Sequence, residues 1–165
     1  MKIKSEIKIK KVDFFFANEY LNYRNKLINR KNSTSIKMIK AIDHYIWWLS
    51  NKSRKSFKII KNNKILAIIY YDLKIIKGKK FFFPGYFLCD QNIKVFDILK
   101  IIKIQNNLLD KFEQKVCIIK VYKKNIFSNS HVKYFNYQKL KKNSLLYKKF
   151  FNKKDDKKFN FYYRD

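Results

Sequence analysis

Apolar residues recur along the chain with spacings that predict a strand followed by a helix. Near the start, Ile3, Ile7 and Ile9 are separated by charged residues, which is typical of a strand with one solvated face. From Asp13, a predicted N-cap, the apolar spacing lengthens to four, three and four residues, the period of a helix. The apolar residues of this first helix are Phe16, Tyr20, Tyr23 and Leu27.

A second helix is predicted after Ser33, Thr34 and Ser35, which are candidate caps. Its apolar positions also follow the helical period, so they are expected to face the core. These inward positions are Ile39, Ile42, Ile46 and Leu49.

Three antiparallel strands are predicted next. The apolar runs 55–61 and 64–71 are separated by Asn62 and Asn63, a dipeptide that suits the positive φ angles of a tight hairpin turn. A second turn is expected at Lys77-Gly78-Lys79, before a strand over 81–88. Pro84 and Gly85 within that strand favour a bulge or a splay, because neither residue supports regular pairing.

In the second half of the chain, predicted helices alternate with predicted strands. A helix is predicted from the apolar residues Val95, Ile98, Leu99, Ile102 and Leu109. A buried strand over 116–122 follows, and after Asn125 a short helix is expected with Phe127, Val132 and Phe135 on one side. Two final strands are predicted at 145–151 and 158–163, as a hairpin around 152–157.

Composition narrows the function classes. The 165 residues predict one domain, spanning 1–165, that is large enough to bury a core. The net charge is +28, but only four of the 40 basic residues are arginine, and the enriched residues Lys, Asn, Ile, Phe and Tyr all have A/T-rich codons. A surface selected for phosphates would more often keep arginine. We therefore expect nucleic-acid binding to be nonspecific and salt-sensitive.

The two cysteines, Cys89 and Cys117, lie in predicted strands and far from any C-x-x-C spacing. They are interpreted as small core residues in a reducing compartment. The N-terminus alternates polar and apolar residues without a signal-peptide core, and the longest apolar run, 65–71, is too short to span a membrane. The sequence predicts a soluble cytoplasmic protein.

Residues 115–137, KVCIIKVYKKNIFSNSHVKYFNY, order a strand, an asparagine, a helix and an Asn-aromatic pair. This order resembles the second half of the GCN5-related N-acetyltransferase (GNAT) fold. Asn125 falls on the asparagine of the family pattern, Asn136 on its glycine and Tyr137 on its phenylalanine. Asn136 preserves the helix end, because asparagine tolerates a left-handed backbone best among non-glycine residues. Val132 departs from the pattern, since many relatives carry a tyrosine acid there.

The helical region near the start carries a second resemblance. Arg24-Asn25 closes one predicted helix, and His44, Trp47 and Trp48 lie in the next, after the serines at its start. This combination is similar to aminosugar N-acetyltransferases and to ribosomal-protein N-terminal acetyltransferases. It implies a small primary amine as acceptor, with a nucleotide-linked aminosugar favoured.

The segment after the fourth strand departs most from the family. GNAT proteins carry a phosphate loop of the form Q/R-x-x-G-x-G/A, whose glycines let backbone N–H groups close on a pyrophosphate. Here Gln91 fits, but Lys94 and Phe96 stand at the glycine positions. Asp97 is expected to repel a phosphate, and Lys94 to offset that charge.

The resemblance implies an α/β (α+β) fold with a mixed, mainly antiparallel seven-stranded sheet, helices on both faces and splayed fourth and fifth strands. It implies acetyl-CoA as donor, with no metal. Candidate catalytic residues are the acids Tyr134 and Ser130 and the base Glu19, with Asp72 and His44 as further candidate bases. Candidate donor-binding residues are Phe87, Leu88, Cys89, Gln91, Lys94, Phe96 and Asn125.

Two alternatives stay open. A GNAT-shaped protein that has lost donor binding would act as a binding or interaction subunit. An RNA-binding protein would need basic side chains clustered on one face with aromatic residues exposed between them. The aromatic residues of this chain fall largely at core-period positions instead.

Overall fold

The computed structural model describes residues 6–33, 35–152 and 155–165, apart from the side chain of residue 156. This part of the chain forms seven strands and six α-helices. The strands are β1 (Ile7–Lys11), β2 (Arg54–Lys61), β3 (Lys64–Ile76), β4 (Lys79–Leu88), β5 (Lys115–Tyr122), β6 (Gln138–Lys139) and β7 (Phe159–Arg164). The helices are α1 (Ala17–Asn25), α2 (Leu27–Lys31), α3 (Ala41–Ser50), α4 (Val95–Leu109), α5 (Ile126–Tyr134) and α6 (Leu145–Phe150).

The strands form one sheet in the order β1-β2-β3-β4-β5-β7-β6, as the predicted mixed α/β fold requires. The pairs β1–β2, β2–β3, β5–β7 and β6–β7 are antiparallel, whereas β4 and β5 are parallel. The parallel ladder joins Lys80–Phe82 to Lys115–Cys117, at the starts of both strands. Both strands continue beyond these paired residues, β4 to Leu88 and β5 to Tyr122. The prediction of a parallel central pair is confirmed.

The chain groups into two compact units, residues 1–73 with 84–112 and residues 74–83 with 113–165. In the first unit, β3 is buried on both faces because its side chains alternate. Ile68 packs with Phe16, Tyr20 and Phe87 on the side of α1 and α3. Ala67 and Ile69 pack on the other side with Ile101 of α4. The prediction of a single domain is not tested by this grouping.

In the second unit, two apolar clusters cover β5 and β7. One joins Phe81, Val116 and Ile118 to Phe150 of α6. The other is built from Leu140, Tyr147, Phe159 and Phe161. These aromatic residues therefore lie in the core, as their spacing predicted.

The predicted hairpin turns are confirmed. Asn62 and Asn63 have φ angles of 50° and 60°, and β2 pairs with β3 directly across them. Lys77 and Gly78 have φ angles of 49° and 76° between β3 and β4. Asn136, with φ of 60°, ends α5 in the left-handed conformation expected of the residue at the family's glycine position.

The predicted strand at 145–151 is wrong, because this segment contains helix α6. The hydroxyl of Ser144 accepts a hydrogen bond from the N–H of Tyr147 at 3.2 Å and caps the helix. Leu146 with Phe150, and Tyr147 with Phe151, are four residues apart, which suits a helix as well as a continuous apolar run suits a strand. The two residues of β6 pair with β7 in its place.

The predicted inward face of the second helix is also wrong. Helix α3 begins at Ala41, and its Ile42, Ile46 and Leu49 are 64%, 59% and 66% exposed. His44 is the buried residue instead, packed with Trp47 and Trp48 against Tyr20. The larger aromatic rings bury more surface than the aliphatic stripe, and this decides which side faces inward.

The start of α3 differs from the prediction for a local reason. The Asn25 amide donates to the carbonyl of Ile39 at 2.9 Å and accepts from its N–H at 2.8 Å, so the backbone of Ile39 is bound to the end of α1. Lys40 is the N-cap, without a side-chain cap bond. Ser33 and Ser35 therefore do not cap α3, and Thr34 lies outside the described residues.

Other element boundaries shift as well. Asp13 makes no side-chain cap bond and instead pairs with the ammonium of Lys58 at 3.1 Å. The first predicted helix divides at Lys26 into α1 and α2, which leaves Leu27 exposed. Val95, at the start of α4, is likewise exposed rather than inward. Ile3, in the predicted first strand, lies outside the described residues.

Candidate active site

The end of β4 is held by a side chain that the sequence did not single out. Asn29 of α2 accepts a hydrogen bond from the N–H of Leu88 at 2.9 Å and donates to its carbonyl at 2.7 Å. The same amide nitrogen donates to the carbonyl of Tyr23 at 2.7 Å. Leu88, a predicted donor-binding residue, therefore has both of its backbone polar groups bound by Asn29. No local pattern identifies a buried asparagine whose partner lies 59 residues away.

The next two predicted donor-binding residues are largely buried. Phe87 packs edge-to-face on Tyr20 with 4.9 Å between ring centroids. The carbonyl of Cys89 accepts from the ammonium of Lys26 at 2.6 Å, and its N–H donates to the carbonyl of Leu66 at 2.8 Å. Burial raises the pKa of the Cys89 thiol to about 12. Cys89 is therefore a protonated core residue and supplies no thiolate.

The middle of β4 is in contact with α4 and β3 at Gly85. Gln105 of α4 donates from its amide nitrogen to the carbonyl of Gly85 at 2.8 Å and to that of Tyr70 at 2.9 Å. A Cβ atom at Gly85 would collide with the hydroxyl end of Tyr70, so any other residue there would require Tyr70 to move. Gln105 is buried, and it is a second polar residue that the helical pattern of α4 did not reveal.

The segment that replaces the phosphate loop presents exposed cations and an exposed ring. Gln91 and Lys94 are exposed, and Lys94 is the N-cap of α4. Phe96 is 66% exposed and lies under the ammonium of Lys100, 4.4 Å from its ring centroid. The phenyl ring therefore does not belong to the core.

Asp97 was expected to repel a phosphate at this helix start. In the structure it is buried, and its carboxylate oxygens accept from the ammonium of Lys61 at 2.8 and 3.0 Å. A paired carboxylate exerts a weaker repulsion on a nearby anion. The helix start is thus more favourable to anions than its sequence suggested.

In the second unit, Asn125 lies at the junction between β5 and α5, as predicted. Its side-chain oxygen accepts from the N–H of Ser128 at 3.0 Å, so it is the N-cap of α5. Asn129, one turn later, donates to the carbonyls of Tyr122 and Asn125 at 3.0 and 2.8 Å. These bonds join the end of β5 to the first turn of the helix.

Replacing Asn125 by alanine should cost about 1 kcal/mol of stability, because the N–H of Ser128 loses its cap. Urea unfolding of the variant beside Lys124→Ala, a change at the neighbouring exposed lysine, measures this loss. Equal stability of the two variants would contradict the capping role.

The two candidate acids on α5 occupy different surroundings. Ser130 lines an open pocket of about 400 Å³, whereas Tyr134 is 76% exposed and is not part of that lining. The other residues of this pocket are Lys123, Ile126, Asn129, Lys133, Tyr137, Lys139, Asn160 and Tyr162. The two hydroxyls therefore do not act from one pocket.

The candidate bases lie in the first unit. Glu19 is exposed in the first turn of α1. His44 is buried, its Nε2 lies 3.0 Å from the carbonyl oxygen of Ala17, and burial lowers the pKa of its imidazole. Asp72 binds Arg54 through both carboxylate oxygens at 2.8 and 2.6 Å. Among these three, Glu19 has the accessible carboxylate.

Among the described residues, no group of three or more His, Cys, Asp and Glu side chains is arranged to hold a metal ion. Within the same residues, the helices are too short or too polar to cross a membrane.

The sequence matches no protein-family model and no curated protein. Its structure, however, is similar to solved acetyltransferases. A possible acetyltransferase from Clostridium difficile 630 has a TM-score of 0.66 at 16% identity, over 84% of this chain and 94% of its own. A ribosomal L7/L12 alpha-N-protein acetyltransferase, RimL, in complex with coenzyme A has 0.66 at 11%, over 98% and 94%.

A third structure, that of FdhC, is described as a nucleotide-linked sugar GNAT. It has a TM-score of 0.67 at 13% identity, over 97% of this chain and 86% of its own. These three similarities cover between 84% and 98% of this chain, whose own sheet contains the parallel pair β4–β5 that the sequence predicted. The chain therefore has the fold of the GCN5-related N-acetyltransferases.

Proposed function

We propose that the protein is an N-acetyltransferase that transfers the acetyl group of acetyl-CoA to a primary amine. The main support is the parallel ladder between β4 and β5. It has only three residue pairs, although both strands continue for several residues beyond it. Strand backbone outside a ladder can bind a ligand or stabilise a developing oxyanion, although the N–H and carbonyl of Leu88 are already bound by Asn29. The similarity to solved acetyltransferases supports the same activity.

The reaction needs a neutral amine, stabilisation of the oxyanion and a proton for the departing thiolate. The amine nitrogen bonds to the thioester carbon, the carbon–sulfur bond breaks, and the sulfur takes up a proton. Glu19 is the proposed base, because its carboxylate is exposed in α1. Ser130 and Tyr134 are the proposed proton sources, both on α5.

Acetyl-CoA is the proposed donor, and the segment 91–96 is the proposed contact for its phosphates. Lys94 supplies a charge where the family pattern has glycine, and Lys100, six residues later, lies over the ring of Phe96. The pairing of Asp97 with Lys61 weakens the repulsion that its carboxylate would exert on a phosphate. The remaining donor-binding proposals are Phe87, Leu88, Cys89, Gln91 and Asn125.

A nucleotide-linked aminosugar is the proposed acceptor. The resemblance of Arg24-Asn25 and His44 to aminosugar acetyltransferases supports it, as does the sugar-nucleotide relative among the similar structures. The two cysteines are free and buried, which supports a reducing compartment such as the cytoplasm.

A second candidate is a GNAT-shaped binding protein without turnover. The observation that favours it is the loss of both loop glycines, with Phe96 now projecting from the first turn of α4. A bulky exposed ring at that position would restrict the approach of phosphates to the backbone.

Calorimetry with acetyl-CoA separates the two candidates. We expect the natural protein to bind, Lys94→Ala to bind about tenfold more weakly because one charge-assisted contact is lost, and Phe96→Gly to bind more tightly. Lys103→Ala, which removes an exposed charge from the same helix, is the matched control and should bind like the natural protein. Absence of binding by all four proteins would favour the binding-protein candidate.

A further inference from the structure

A small pocket in the first unit combines aromatic and cationic side chains. It has a volume of about 190 Å³ and is formed where β1 ends, α3 ends and β2 begins. We call it the tryptophan pocket. Its lining residues are Lys11, Val12, Asp13, Phe14, Trp47, Trp48, Asn51, Arg54, Lys55 and Ser56.

The residues of this pocket are unusual for this chain. Trp47 and Trp48 are its only two tryptophans, and Arg54 is one of only four arginines beside 36 lysines. Tryptophan has no A/T-rich codon, so the enrichment of residues with A/T-rich codons in this chain does not explain its presence. Both tryptophans and one arginine nevertheless line a single pocket.

The walls of the tryptophan pocket are held in place. The Arg54 guanidinium is fixed by its two bonds to Asp72, and it stacks 4.0 Å from the ring centroid of Tyr70 and 4.9 Å from that of Trp47. Trp48 packs edge-to-face on Tyr20, at 5.1 Å between centroids. Ordered aromatic walls lower the entropy cost of binding a flat ring.

The rim of the pocket is positively charged. Lys11 and Lys55 are exposed, and the ion pairs among the described residues involve neither of them. The carboxylate of Asp13 is taken by Lys58 at 3.1 Å, which also lowers the pKa of Asp13. Two ammonium groups thus stand beside the aromatic walls without a local counter-charge.

We propose that the tryptophan pocket binds the nucleoside diphosphate part of the acceptor, an inference that rests on the function proposed above. The base stacks on the indole rings, and the phosphates pair with Lys11 and Lys55. The volume is below the roughly 300–1,000 Å³ of pockets that enclose a whole drug-sized ligand. The pocket therefore takes the single ring of a pyrimidine base and leaves the phosphates at the rim.

Intrinsic tryptophan fluorescence tests the proposal directly, because every tryptophan of the chain lines this pocket. Uridine diphosphate and thymidine diphosphate, titrated at 150 mM salt, about the physiological ionic strength, should quench the emission saturably. Uridine, which lacks the phosphates, should bind at least tenfold more weakly. Inorganic pyrophosphate, which lacks the base, should cause little quenching.

Variants locate the binding. The double variant Lys11→Ala/Lys55→Ala should weaken the binding of uridine diphosphate by about tenfold or more. The double variant Lys10→Ala/Lys52→Ala removes the same charge from exposed lysines outside the lining and should bind like the natural protein. Phe14→Ala removes an exposed ring of the lining, which contributes little to the core, and should weaken binding.

Equal weakening in both double variants would overturn the proposal, because it would indicate diffuse attraction to the +28 chain. Quenching by pyrophosphate as strong as by uridine diphosphate would also overturn it, as would tighter binding of a single-stranded RNA. Binding of acetyl-CoA without binding of the nucleotide would sink this proposal alone. Binding of the nucleotide without binding of acetyl-CoA would instead sink its role in the acceptor and the proposed acetyl transfer.

Discussion

Replacing Asn29 by leucine should destabilise the protein by about 3 kcal/mol, although the two side chains are similar in size. Asn29 satisfies the N–H and carbonyl of Leu88 and the carbonyl of Tyr23, and the site is buried. Leucine would leave these backbone groups without partners, and each buried unsatisfied group costs about 1–3 kcal/mol. Urea unfolding measures the loss.

The matched control is Asn32→Leu, just after the same helix. Asn32 is exposed, and its side chain donates to the carbonyl of Ile28 at 2.9 Å, so its replacement should cost less than about 0.5 kcal/mol. The two variants change the same atoms. Similar losses for both would contradict the role given to Asn29. Because Leu88 is a proposed donor contact, Asn29→Leu should also weaken acetyl-CoA binding at temperatures where the variant stays folded.

The stability of the protein should fall when the pH is lowered from about 7 to 4, and His131 should account for about 2–3 kcal/mol of that fall. Burial in α5 lowers the pKa of its imidazole from 6.5 to about 4. Between these two values the unfolded chain binds the proton and the folded protein does not. The contribution of His131 to stability is therefore fully present above pH 6.5 and is lost as the pH falls toward 4.

The variant His131→Gln isolates this contribution, because glutamine is neutral throughout the range. Unfolding free energies measured from pH 7.5 to 4 should fall less steeply for the variant than for the natural protein. Carboxylates that titrate in the same range affect both proteins equally, so the difference between the slopes belongs to His131. Parallel curves would show that His131 is not buried in its neutral form. His44→Gln should also make the fall of stability with pH less steep, because burial also lowers the pKa of His44.

Local patterns predicted the sheet and its turns. Asn62 and Asn63 tolerate positive φ angles, so the hairpin between β2 and β3 followed from two residues. Asn125 caps helix α5, which the change of apolar spacing after this residue predicted. The order of strand, asparagine and helix also indicated the family fold, because that order is a property of contiguous sequence.

Short apolar segments were less decisive. Residues 145–151 are apolar at spacings that fit either a strand or a helix, and the hydroxyl of Ser144 settled the helix. Helix α3 has an aliphatic face and an aromatic face, and either could have packed on the core. The aromatic face is buried because Trp47, Trp48 and His44 pack against the rings of Tyr20 and Phe87, which come from other parts of the chain.

The sequence by itself determined most of the element types, the main turns and the loss of the loop glycines, since each depends on residues close together in the chain. Only the tertiary structure decided which polar side chains hold β4. Asn29 and Gln105 bind backbone groups 59 and 20 residues away, and they look like ordinary surface residues until folding brings those groups to them. The tryptophan pocket belongs with them, because it joins the ends of β1 and α3 to the start of β2. Spacing along one segment carries no information about contacts between segments, and those contacts place the candidate binding residues.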